Sequence, residues 1–167
     1  SLNQQVYHIE LACKYYGGSQ VQNLRGLNPK DMLAGKAVKL VQQLNLLHTP
    51  QGRETLTTQA SPDSPVSVSV VRGIGFFPHG FDAFEPPLNP YGWRGVYIRN
   101  WAEYRFERTE ARYHLLDRMA YLAPARVAET DTLNETEIRR IDNGLIAVLE
   151  LRPDGFWHET ERIMKAV

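Results

Sequence analysis

The stretch Val6-Tyr7-His8-Ile9-Glu10-Leu11-Ala12-Cys13-Lys14-Tyr15-Tyr16 decides how this chain is read. Its odd positions, Tyr7, Ile9, Leu11, Cys13 and Tyr15, all suit a core, while its even positions include His8, Glu10 and Lys14. Side chains alternate between faces along a strand, so this period of two predicts a β-strand with one packed face and one polar face. Gly17-Gly18-Ser19 breaks the pattern. The sequence starts at Ser1 rather than Met and reaches a core strand almost at once. That is unusual for an intact chain, and the expectation is a fragment cut from something longer.

Outward from this strand, the next element reads as a helix. Asn28 is the expected N-cap, Pro29 the first helical residue, and Asp31 sits near the positive helix end. Leu33, Ala37, Leu40, Leu44 and Leu47 recur at helical spacing, Ala34, Val38 and Val41 widen the stripe, and the helix is expected to run to about Leu46. Residues 49–65 read as a loop, with Pro50, Gly52, Ser61, Pro62, Ser64 and Pro65. The valine-rich residues 66–71 read as a second strand. Residues 73–90 are expected to be irregular apart from an anchor at Phe76-Phe77, and residues 91–125 read equally as short strands or a helix. Thr132-Leu-Asn-Glu135 reads as a capping box opening a short helix to about Ile141, and Asn143-Gly144 as a turn. Residues 145–151 and 156–167, around Arg152-Pro-Asp-Gly155, read as a terminal β-hairpin. The sum is an α/β fold, a mixed β-sheet flanked by helices, in a single domain over residues 1–167.

Composition bounds the function. Apolar types make up 43% and charged types 23% of 167 residues, which excludes a disordered tail, a collagen-like rod and a disulfide scaffold. No apolar run approaches the roughly 20 residues of a membrane-spanning helix, so no membrane partner is expected. No charged start followed by an apolar run marks a signal peptide. The single cysteine, Cys13, cannot form an internal disulfide, which fits a reducing, cytoplasmic compartment. Nineteen basic and nineteen acidic side chains cancel, arguing against a protein that coats nucleic acid by charge alone. The balance is uneven, however. Residues 1–48 carry Lys14, Arg25, Lys30, Lys36 and Lys39 against Glu10 and Asp31, a net +3, which leaves −3 on the remainder. An anionic partner is expected at this N-terminal third, although solvated lysines on a helix give the same imbalance. Nothing in the sequence sets an oligomeric state.

The polar face of the first strand is the first candidate site. Glu10 and Lys14 lie roughly 13 Å apart along an extended backbone, a gap that a lysine stem shortens. A carboxylate is a hard oxygen donor suited to Mg²⁺, and a lysine stabilises charge developing on a phosphoryl oxygen. The competing reading is the wet face of an edge strand. On the helix, Met32, Lys36, Lys39 and Gln43 share one flank, with Lys36 and Gln43 bordering the apolar stripe, where they can reach a substrate backbone. A snorkelling lysine and a solvated glutamine explain them equally well. Asp31 is accounted for by capping.

Elsewhere the signals are thinner. His79, Asp82 and Glu85 share a loop and match no known metal spacing. Gly73-Ile-Gly75 lacks the third glycine of a nucleotide fingerprint, and no serine sits in a G-x-S-x-G elbow. Cys13 falls in the apolar set and reads as packed rather than nucleophilic. Trp93, Trp101 and Trp157 with Tyr91, Tyr97 and Tyr104 suit base stacking, or a core or interface.

Several segments together carry a resemblance. His8-Ile-Glu-Leu-Ala-Cys-Lys-Tyr-Tyr16 resembles a strand written H-x-E-L-A-x-K-F-Y, and Leu27-Asn-Pro-Lys-Asp31 with Leu33, Lys36, Leu40 and Gln43-Leu44 resembles the helix that follows it. Arg72-Gly-Ile-Gly-Phe-Phe-Pro78 resembles R-G-x-x-F-x-P, and Leu122-Ala-Pro-Ala125 an L-A-P-A stretch. These segments, in this order, resemble the bacterial domain of unknown function eighteen fifty-three, which is grouped with the PD-(D/E)XK nuclease-like superfamily.

The resemblance implies a partial restriction-endonuclease-like core belonging to the C-terminal part of a longer domain. It implies Mg²⁺ or Mn²⁺ as cofactor, with Glu10 as the metal-binding carboxylate and nucleic acid as the partner cleaved. Lys14 or Lys36 would offset the transition-state charge, while Gln43 and His8 would contact substrate. The sequence departs from the pattern at Ala12, where the lysine of an E-x-K strand is expected. Lys14 reaches back, or a bulge shifts it, or Lys36 substitutes. The aspartate of the preceding strand has no counterpart here. A non-catalytic binding module of the same fold therefore stands as the second reading, and an enzyme built on the His79 loop as a third.

Overall fold

The computed structural model describes residues 6–18, 20–26, 28, 30–57, 66–81, 88–89, 92–117 and 123–166; at 6–14, 56–57 and 66–72 it is the backbone path that is described. The alternating stretch forms β1 (Val6–Tyr16) and pairs in parallel with β2 (Val66–Phe77). Neighbouring parallel strands need a crossover. Between these two lie α1 (Leu33–Leu47) and α2 (Pro50–Thr57). Next come β3 (Trp93–Ile98), β4 (Arg112–Leu116), β5 (Arg126–Val127), α3 (Glu135–Ile138), β6 (Gly144–Leu151) and β7 (Trp157–Lys165). Single 3₁₀ turns form at Trp101–Glu103 and Glu129–Asp131.

The fold is a mixed α/β one. Its sheet runs in the order β1-β2-β3-β7-β6-β4, with β5 also beside β7. The pairs β1–β2, β2–β3 and β3–β7 are parallel; β7–β6, β6–β4 and β5–β7 are antiparallel. One face buries Ile74, Phe76, Leu116, Leu145, Ala147, Leu149, Trp157 and Met164. The opposite face buries Val96, Ile98, Tyr104, Tyr113, Ile138, Ile146, Val148 and Ile163. Phe77 pairs with Val96, and this second face continues through the smaller cluster of Phe77, Tyr15 and Leu24, against which Leu33 of α1 packs.

Several expectations are corrected. The glycines after residue 72 do not end the second strand, because β2 continues through Gly73 and Gly75 to Phe77. Glycine in a strand also marks close approach. A Cβ on Gly95, the partner of Phe76, would lie 2.4 Å from the Phe76 ring and 2.6 Å from the Arg162 carbonyl.

The first helix starts at Leu33, not at Pro29, and Met32 at its N-cap position makes no side-chain bond. Asn28 instead closes a turn, its carbonyl accepting from the Asp31 amide at 2.8 Å and its Oδ1 from the Lys30 amide at 3.0 Å; Pro29 lies outside the described residues. No residue of α1 is fully buried. Leu33, Lys36, Leu40, Leu44 and Leu47 are half-covered, while Val38, Val41 and Leu46 are mostly exposed.

The expected loop at 49–65 opens with α2. The Thr49 hydroxyl accepts from the Gly52 amide at 3.1 Å and caps the helix, which puts Pro50 at the first helical position that proline favours. In the ambiguous stretch 91–125, the described residues form β3 and β4 with a 3₁₀ turn between them, rather than an α-helix. The capping box sits two residues later than expected. Asn134 and Glu137 exchange its two bonds, while Thr132 donates to the Glu129 carbonyl. The hairpin of β6 and β7 forms as expected.

Candidate functional site

On β1 the register pairs His8 with Ser69, Glu10 with Val71 and Ala12 with Gly73, but Lys14 with Ile74. Cys13 is one residue more than β2 supplies, so the pairing slips there. A one-residue slip exchanges the faces of everything beyond it. Position 10 thus shares its alternation with Ala12 and Tyr15, and position 14 with Tyr16. The two tyrosines show which face is which. Tyr15 packs with Leu24, Phe77 and Leu33 on the α1 side. Tyr16 stacks on Tyr97, centroids 4.8 Å apart, against the cluster of Ile74 and Phe76. Position 10 therefore belongs by register to the α1 side and position 14 to the opposite face. The unbroken alternation expected from Val6 to Tyr16 ends at Cys13.

On α1, Lys36 is half-covered and in helical step with Leu33 and Leu40, the stripe turned toward the sheet. Lys39 and Gln43 are exposed. The chain entering α1 is tied to β1 by the reciprocal backbone bonds of Tyr16 and Arg25, at 2.9 and 3.0 Å, and by the bond from Leu33 to Leu24. Asp31 belongs to this tie. Its Oδ1 accepts from the Tyr15 hydroxyl at 3.0 Å, so it anchors the loop rather than caps the helix. Among the described residues no group of three or more His, Cys, Asp or Glu is gathered to hold a metal ion. Glu10 has the donor chemistry for Mg²⁺ or Mn²⁺, as one hard oxygen ligand of the several such ions take.

A second group of polar residues gathers on β7, where sequence reasoning saw only a hairpin strand. The register slips at Thr160, because Val148 pairs with Glu161 and Leu149 with Glu159. Glu161 accepts a 2.6 Å bond from the Tyr104 hydroxyl. Burial, and then this bond, push the Tyr104 hydroxyl well above the ordinary tyrosine range. Tyr113 is pushed up to about 12 by burial and then by the nearby Glu135 charge. His79 meets the Tyr104 ring edge-on, centroids 5.9 Å apart, at a cavity of about 240 Å³ shared with Glu161 and Arg108. Asp82 and Glu85, its expected partners in the loop, lie outside the described residues.

On the other face, Arg162 is 3% exposed and forms a two-bond ion pair with Glu159. The pair also holds the incoming chain: Arg162 donates to the Ala123 carbonyl at 3.1 Å and Glu159 accepts from the Ala125 amide at 2.7 Å.

Comparison with protein families matches residues 1–165 to the family described as Domain of unknown function (DUF1853). The chain belongs to that family. The DUF1853 match runs from β1 to the end of β7, so Glu10, Lys36 and the Glu159–Arg162 pair all fall within it. No curated protein and no solved structure matches the chain. Among the described residues, no helix is long and apolar enough to cross a membrane.

Within the DUF1853 frame, the Ala123–Pro124–Ala125 segment noted in the sequence is the stretch that Arg162 and Glu159 grip. The tryptophans separate into two kinds. Trp157 is buried and Trp101 half-buried, its Nε1 donating to the Ile141 carbonyl, whereas Trp93 is exposed at the start of β3.

Proposed function

We propose that this DUF1853 chain is a divalent-metal-dependent domain of the PD-(D/E)XK nuclease-like kind, acting on the phosphodiester backbone of nucleic acid. The observation that supports it is the juxtaposition made by the parallel β1–β2 pair. Position 10 belongs by register to the side of the sheet covered by α1, and the covered stripe of α1 carries Lys36. Glu10 would hold the metal. When bound, Mg²⁺ or Mn²⁺ supplies Lewis-acid polarisation of a phosphoryl oxygen.

The protein's own part is electrostatic and positional. A half-covered lysine stabilises charge on phosphoryl oxygens better than a solvated one, because less water screens it. Lys36 therefore takes the place of the lysine that Ala12 does not supply. His8, in the alternation of Glu10, and the exposed Gln43, two turns along α1, contact the backbone on either side of the reacting phosphate. Lys14, on the opposite face by register, stands apart from this site.

Cleavage of labelled single-stranded and duplex DNA in Mn²⁺ tests this reading. Glu10→Gln and Lys36→Met are each expected to slow cleavage by about 100-fold or more, the usual cost of removing one electrostatic stabiliser. Undiminished cleavage by Glu10→Gln removes Glu10 from the mechanism. The second reading is a non-catalytic module that binds without cleaving. The slip at Cys13 favours it, since it parts Lys14 from Glu10. Binding of DNA without metal-dependent cleavage is its signature.

A further inference from the structure

We propose that Trp93 is the stacking platform for one base of a single-stranded nucleic acid, with Lys14 neutralising an adjoining phosphate. The proposal rests on the nucleic-acid reading above for the class of ligand and uses a different face of the sheet.

The register carries it. Lys14 pairs with Ile74 and Ile74 pairs with Trp93, so positions 14, 74 and 93 form one row across β1, β2 and β3. Strands stand about 4.8 Å apart, which puts positions 14 and 93 roughly 10 Å from each other. The slip at Cys13 creates this row. Were all of β1 paired in unbroken alternation, with Cys13 in the ladder, positions 10 and 14 would share a face.

The two ends of the row differ in chemistry. Trp93 is 47% exposed, which leaves much of its ring open to stacking. Beside it opens a cavity of about 210 Å³, lined by Ile74, Pro124, Arg94, Glu161 and the ion-paired Glu159 and Arg162. That is below the roughly 300–1,000 Å³ of sites for drug-sized ligands, and suits a single flat ring. Apolar walls with a charged rim match a nucleobase, which has an apolar face and a polar edge. At the far end of the row, position 14 is a lysine, the residue type that offsets a phosphate charge. Stacking on an aromatic face together with a basic backbone contact is how single strands are held without sequence preference. A protein partner would also use an exposed tryptophan. The single-ring cavity and the basic position two strands away in the same row favour a nucleotide chain.

The test measures binding of an oligothymidylate dodecamer to the whole chain in EDTA, by anisotropy of the labelled oligomer and by tryptophan fluorescence. An abasic dodecamer of equal charge serves as the comparison. The expected results are tighter binding of the oligothymidylate and quenching that Trp93→Phe abolishes while keeping most of the affinity. Trp93→Ala is expected to weaken oligothymidylate binding by about 5- to 100-fold and abasic binding hardly at all. Lys14→Gln is expected to lower the dependence of log affinity on log salt by about 0.7. Equal binding of the two oligomers, no binding of either, or quenching that survives Trp93→Phe overturns the proposal and leaves Trp93 to a protein contact. Because EDTA removes any metal, cleavage and binding fail separately. Glu10-dependent cleavage without Trp93-dependent binding overturns this proposal alone, and the converse overturns the catalytic reading alone.

Discussion

Arg162 and Glu159 stand three residues apart on β7 yet meet on one face of the sheet, Nε to Oε1 at 2.6 Å and Nη2 to Oε2 at 2.8 Å. In a regular strand, residues three apart face opposite ways. The slip at Thr160 brings both onto the face of Ala147 and Leu149. Both side chains are nearly buried, at 3% and 9% exposure. Breaking such a pair strands a charge, whereas replacing both partners by apolar groups need not destabilise. Arg162→Met and Glu159→Leu are each expected to cost about 3–5 kcal/mol, and the double variant clearly less than their sum. Urea unfolding of the cycle measures this, and simple additivity would show the pair to be uncoupled.

Gly95 is a second test of the same layer. Adding a methyl group there drives it against the Phe76 ring and the Arg162 carbonyl. A side chain can turn away, but backbone in the middle of a sheet yields little. Gly95→Ala is expected to lose about 1–3 kcal/mol by overpacking. A variant as stable as the parent in denaturant would mean that β3 and β7 lie farther apart than described.

The β6–β7 hairpin carries a pH dependence. The Phe156 amide bonds Asp154 Oδ1, and His158 and Arg126 reach its Oδ2, at 3.0, 2.9 and 3.2 Å. The Phe156 bond first, then His158, hold the Asp154 carboxyl at about 2, below its ordinary 3.8. A group whose folded pKa is depressed stabilises the fold above its unfolded value, and that contribution fades as pH falls through the folded one. The stability gap between the parent and Asp154→Asn should therefore be full at about pH 5 and shrink toward about pH 2. Thermal midpoints across this range test it; a constant gap would contradict it.

The slip in β1 has its own test. Removing Cys13 leaves Ala12 on Gly73 and Lys14 on Ile74 as consecutive pairs, which is an ordinary parallel ladder. Deletion of Cys13 is therefore expected to give a folded chain, its midpoint within about 2–4 °C of the parent, a change of about 1 kcal/mol. Failure to fold would show that the extra residue is needed for pairing.

Much of the fold was legible because local pattern and final pairing agree. The hairpin follows from the apolar run of β6 and the Arg152–Gly155 turn, and β1 from its alternation. Misreadings arose where one residue type has two uses. Gly73 and Gly75 look like breakers but lie inside β2, with Gly75 close against the Phe77 ring, and Asn28-Pro29 looks like a helix start where Thr49-Pro50 is the one used. The slips at Cys13 and Thr160 leave no local mark, because a bulge is defined by what the partner strand lacks. The bond from Tyr104 to Glu161 spans 57 positions, beyond any periodicity. For the candidate site, Glu10 and Lys36 were legible as residue types. Which face each belongs to came from the register.

The most direct test of the central claim, that Glu10 on β1 holds a divalent ion, is the thermal midpoint with and without Mn²⁺ for the parent and Glu10→Ala. An ion bound by the native state alone raises stability by RT ln(1 + [L]/Kd), so a concentration 100-fold above Kd adds about 2.7 kcal/mol. A rise is expected in the parent and none in Glu10→Ala. An equal rise in both would contradict it and move the ion elsewhere, with the His79 loop next to be tested.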